Sequence, residues 1–80
     1  MTHSRLMQLA TNDEGFCFDP RTGETYQLND TARLVLTELK KGQSEDAAAR
    51  TLAATYEIPL YEAETDTQEF MQMLRINGVI

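Results

Sequence analysis

The stretch G-E-T-Y-Q-L-N-D-T-A-R-L-V-L, Gly23 to Leu36, changes its period part-way along. Thr25, Tyr26, Gln27 and Leu28 have the β-branched and aromatic character of a short strand, and the third strand is read from Glu24 to Leu28. From Asn29 onward the spacing becomes helical: Ala32, Val35, Leu36 and Leu39 fall on one stripe, and Asn29 is a good helix cap. A strand that turns directly into a helix leaves no room for a crossover loop. The corner therefore marks where a strand part of the chain gives way to a helical part.

The helical part is well punctuated. Lys40 and Lys41 sit where the negative end of a helix dipole prefers cations, and Gly42 is placed to end the first helix. Ser44 caps a second helix with Glu45 and Asp46 in its first turn, carrying Ala48, Ala49, Leu52, Ala53 and Tyr56; its many alanines imply close approach to a neighbour. Pro59 breaks the pattern after Glu57 and Ile58. A third helix is expected from about Leu60 to Asn77, with Ala63, Thr67, Phe70 and Leu74 at core spacing, Gly78 as its stop, and Val79 and Ile80 folded back on the core.

Upstream, Phe16, Cys17 and Phe18 read as a second strand, with both phenylalanines on one side and Cys17 on the other. Asp19 to Gly23 is a hairpin connection, and Thr11 to Gly15 a turn cluster. Arg5 to Ala10 alternates loosely and is expected to be the first strand, with Met7 and Leu9 on one face; Met1 to Ser4 reads as a frayed start. The expected fold is α+β: one domain over residues 1–80, three short N-terminal strands followed by three α-helices, in a winged helix-turn-helix-like arrangement.

A chain of 80 residues buries only roughly 60% of its unfolded surface, which favours function on an outer face or groove over a deep enclosed pocket. Catalysis finds little support. Cys17 has only His3, in the loose terminus, as a partner, and one cysteine with one histidine does not make a zinc site, so neither a catalytic residue nor a cofactor or metal is expected. An alternating strand already accounts for a small buried thiol. Gly15, Gly23, Gly42 and Gly78 each stand alone rather than in a phosphate-cradling loop. The lone cysteine and the absence of an apolar segment of membrane length point to a cytoplasmic protein with no membrane partner.

Charge decides the nucleic-acid question. The net charge is −6, and the third helix carries Glu62, Glu64, Asp66 and Glu69 against Arg75 alone. Such a helix is repelled by a polyanion, although a winged helix-turn-helix otherwise invites a DNA-binding reading. A solvated polar face accounts for most of these acids, while the positions of Asp66 and Glu69 leave part of the face for a basic ligand. Met71 and Met73 point about 200° apart on a helix, so both cannot lie under the same core. Met73, with Ile76, is the better candidate for a groove.

A strand that comes off a hairpin pairs on one side with its predecessor; unless the first strand covers its other side, that edge is a template for an incoming extended peptide. The residues L-N-D-T-A, Leu28 to Ala32, followed by Val35, Leu36, Leu39, the Gly42 break, the alanine-rich helix ending at Tyr56, then Asp66, Phe70, Leu74 and the terminal G-V-I, resemble the PqqD family and its wider relatives, the RiPP recognition elements, over about residues 16–80. The resemblance implies a non-catalytic, winged-helix-like domain that captures the leader of a ribosomally made precursor peptide. It then presents the leader to a modifying enzyme, a radical S-adenosylmethionine enzyme in the pyrroloquinoline quinone case.

Carried over, the leader-binding strand is Glu24, Thr25, Tyr26, Gln27 and Leu28, and the helix face is Glu69, Gln72, Met73 and Ile76. The D-P-R-T-G hairpin differs from the turn of the pyrroloquinoline quinone members, which leaves the client pathway open. Asn29, Thr31 and Asp66 have a structural reading too, as a cap and a polar tie between helices. The alternatives from other classes are a nucleic-acid-binding winged helix and a generic interaction module in which the same edge pairs with a second copy. The carrier itself needs to be no more than a monomer or weak homodimer.

Overall fold

The computed structural model describes residues 4–80, so Met1 to His3 of the expected frayed start, His3 included, lie outside the described residues. A short helix α1 (Ser4–Gln8) leads into strand β1 (Ala10–Thr11), followed by β2 (Phe16–Asp19) and β3 (Glu24–Gln27). Three longer helices follow: α2 (Asp30–Lys40), α3 (Glu45–Tyr56) and α4 (Leu60–Ile76). The three strands form one antiparallel sheet in the order β1-β2-β3, with Cys17 opposite Tyr26 and Phe18 opposite Thr25.

The first strand is not where the alternation suggested. Arg5 to Gln8 belongs to a helix, and only Ala10 and Thr11 pair with β2. Leu6 and Leu9, three positions apart, are both buried, while Met7 faces solvent. The Leu9 N–H closes the turn on the Leu6 carbonyl at 3.2 Å, and the Lys40 ammonium donates to the Leu9 carbonyl at 2.6 Å. Over six residues a spacing of two and a spacing of three compete. Two leucines seated together in the core decide for the helix, although five residues would not hold a helix unaided.

Elsewhere local chemistry and structure agree. In β2, Cys17 is buried and Phe16 and Phe18 face outward together. The Asp19–Gly23 connection closes with the Gly23 N–H on the Asp19 carbonyl at 2.8 Å, while the Asp19 carboxylate accepts from the Arg21 N–H. Ser44 caps α3 by accepting from the Ala47 N–H at 3.1 Å. Ala48 and Ala49 of α3 and Ala63 of α4 are buried, and such small side chains allow packed helices to approach. Leu36, Leu39, Leu52, Phe70, Met71 and Leu74 complete the core with Leu6, Leu9 and Val79, the last folded back from beyond α4.

Candidate functional site

The corner at Asn29 shows how a strand becomes a helix without a loop. Asn29 has extended backbone, φ −75° and ψ 175°, so it prolongs the path of β3. Its Oδ1 accepts from the Ala32 N–H at 2.9 Å and from the Thr31 hydroxyl at 3.0 Å, so it also caps α2. Behind it, Gly15 sits at φ +91°, and a Cβ there would lie 2.9 Å from the Leu28 carbonyl oxygen. The Leu28 N–H donates to the Gly15 carbonyl at 2.7 Å. Only glycine fits so close to the chain as it leaves the sheet.

β3 is an edge strand: β2 pairs with one side, and among the described residues no strand pairs with the other. The ladder alternates, and Leu28 bonds back toward β2, so Tyr26 and Glu24 do likewise. The backbone N–H and C=O groups of Thr25 and Gln27 consequently face the open side. Side chains alternate in the same register, with Leu28 buried and Tyr26 half-buried beneath the sheet, and Thr25 and Gln27 exposed on its outer face with Phe16 and Phe18.

Beside the end of this edge lies a groove of about 300 Å³. It is lined by Gln27, Leu28 and Asn29 where the strand ends, by Thr31, Ala32 and Val35 of α2, and by Asp66, Glu69, Phe70 and Met73 of α4. The four α4 residues lie on a single helical stripe. Leu28, Val35 and Phe70 are buried and Met73 half-buried, which gives an apolar floor; Asp66 is half-buried and Glu69 exposed at the rim.

Of the residues picked from the sequence, Gln27, Leu28, Glu69 and Met73 come together at this groove. Glu24, Thr25 and Tyr26 lie further back along the edge strand. Gln72 faces solvent on another side of α4, and Ile76, 73% exposed, shares the flank of Glu69 but lies two turns further along, past the end of the groove. Asn29, Thr31 and Asp66, which the sequence offers as a cap and a polar tie and, for Asp66, as part of a face for a basic ligand, line it too, and so do Ala32, Val35 and Phe70, which the sequence does not single out for the site. Ala32, Val35 and Phe70 read as core, because a residue that floors a groove obeys the same periodicity as one fully enclosed. The two methionines separate as their helical angle requires: Met73 lines this groove, and the buried Met71 lines a second cleft with Leu39, Gln43, Ser44, Glu45, Arg75 and Ile80.

The expected polar tie from Asp66 is not made. Asn29 and Thr31 are occupied by the cap, and Asp66 has neither a hydrogen-bonding side-chain partner nor a salt bridge among the described residues. Cys17 is 2% exposed, and burial pushes its thiol above the ordinary value, with Asp19 adding to the rise and Lys40 opposing it. A protonated, enclosed thiol is a poor nucleophile. Among the described residues no group of three or more His, Cys, Asp or Glu gathers to hold a metal ion, and no helix is long and apolar enough to cross a membrane.

The family model described as coenzyme PQQ synthesis protein D (PqqD) matches residues 14–80, from the glycine turn through the whole of α4. The chain belongs to the PqqD family. A comparison with curated proteins finds no match. Among solved structures, this PqqD-family chain is similar to one described as lasso peptide synthetase B1 complexed with the leader peptide. The two share 38% sequence identity and superpose with a TM-score of 0.74, over 88% of this chain and 84% of the other. The PqqD match begins at Glu14, just before the β2–β3 hairpin, so the part it spans is the part that builds the groove.

Proposed function

We propose that the protein is a non-catalytic, cytoplasmic peptide carrier, a single domain that captures the leader of a ribosomally made precursor peptide and presents it to a modifying enzyme. The observation that carries this reading is the sheet order, which leaves β3 unpaired on one side with a groove at its end. An extended leader adds to β3 through the outward backbone groups of Thr25 and Gln27, which supply affinity without regard to sequence. Side chains that follow reach the apolar floor at Leu28, Val35, Phe70 and Met73, which supplies selectivity. The likeness to a lasso peptide synthetase B1 complexed with its leader supports the same reading.

The test is an NMR titration of isotope-labelled protein with the leader of a precursor encoded beside it. Amide shifts are expected between Glu24 and Leu28 and along α4 from Asp66 to Met73. Shifts confined to α1 or α3, or none at saturating peptide, would overturn the proposal.

A further inference from the structure

We infer that the groove selects leaders in which a lysine or arginine stands two positions from an apolar anchor, with Asp66 and Glu69 receiving the cation; this rests on the peptide-carrier reading above. Five observations carry it. Asp66 is half-buried at the rim of an apolar groove, where an unpaired carboxylate is costly to desolvate. Among the described residues no base answers it: no lysine or arginine lines the groove, and Arg33 leans on Asp30 and Arg75 on Glu45, each at 4.0 Å. The polar neighbours Asn29 and Thr31 are committed to capping α2. Glu69 stands one turn along on the same stripe, so the two carboxylates face one space. By contrast Glu62 and Glu64 are exposed outside the groove, as an ordinary solvated face requires.

Spacing follows from geometry. The acidic pair and the apolar pair Phe70 and Met73 are centred about four residues apart on α4, hence about 6 Å along its axis. In an extended peptide lying along α4, side chains on one face recur about every 6.6 Å. Anchor and cation therefore occupy alternate positions of one strand. Guanidinium fits best, because its planar fork meets two carboxylates at once, with lysine second.

The experiment is display selection of random peptides of about 12 residues, long enough to cover edge and groove, on the full chain and on its D66N/E69Q variant, with thermal melts confirming that both are folded. The wild type is expected to enrich an apolar residue with Arg or Lys two positions away, and the variant to keep the apolar residue and lose the basic one. For one selected peptide, exchanging the basic residue for glutamine should weaken binding to the wild type about tenfold and leave binding to the variant unchanged. A D66K/E69K variant provides a second route, and is expected to prefer an acidic residue at that position. Anchored peptides with no charge preference, or a preference that survives in D66N/E69Q, overturn the inference while leaving the carrier reading intact. Failure of either protein to enrich any extended peptide overturns both.

Discussion

At the scale of single residues, Gly15 and Cys17 show how little freedom the sheet allows. Gly15 combines a positive φ with a 2.9 Å approach of any Cβ to the Leu28 carbonyl, so Gly15→Ala strains the backbone and pushes the corner outward. A loss of about 1–3 kcal/mol is expected in a denaturant melt, together with weaker peptide binding, because the displaced carbonyl belongs to a groove residue. Wild-type stability in the variant would show that the corner yields. Cys17 makes the opposite kind of prediction. Its raised thiol pKa means that the fold favours the protonated form; that contribution is fully present below the ordinary value of 9.0 and is lost as pH climbs from there through the raised folded value. Alkylation of the native protein at neutral pH should be far slower than of the denatured chain, and mass spectrometry at timed intervals measures the ratio.

At the scale of elements, β3 is asymmetric, and proline reads out the asymmetry. Gln27 turns its N–H to the open side, so Gln27→Pro removes a docking donor while leaving the β2–β3 ladder whole; edge strands tolerate this. Tyr26→Pro removes an N–H that points to β2 and a side chain packed on the core, and should cost at least about 1–3 kcal/mol. The expected pattern is a Gln27→Pro variant with near wild-type melting and at least about fivefold weaker peptide binding, against a Tyr26→Pro variant that melts early. Equal peptide affinity in wild type and Gln27→Pro would place the docking elsewhere.

At the scale of the whole molecule, a net charge of −6, half of it on α4, sets what can approach. Duplex DNA should show no retention in a gel shift even at low salt, and a stable complex there would contradict the sign of the surface. The same scale separates what could be read from the sequence from what could not. The caps at Asn29 and Ser44, the proline break before α4 and the alternation around Cys17 are local, and each appears in the structure as its chemistry dictates. Met7 and Leu9 misled because six residues do not separate a period of two from the period of three that seats Leu6 with Leu9 in the core. Strand order was illegible for a deeper reason, since pairing is a contact between distant segments and no residue of β3 announces which flank stays bare. Ala32 and Val35 went unread as groove residues for that reason too: α2 and α4 meet beside β3 only once the sheet is assembled.

Because Asn29 serves at once as the last extended residue and the first cap, the bare flank of the sheet and the helical base of the groove are bolted at a single residue. Neither half can swing without unseating the other. The receptor surface is thus already shaped before any client arrives, and an extended client pays the entropic cost of being ordered against it. A client already stiffened toward an extended shape should gain affinity without gaining a single contact.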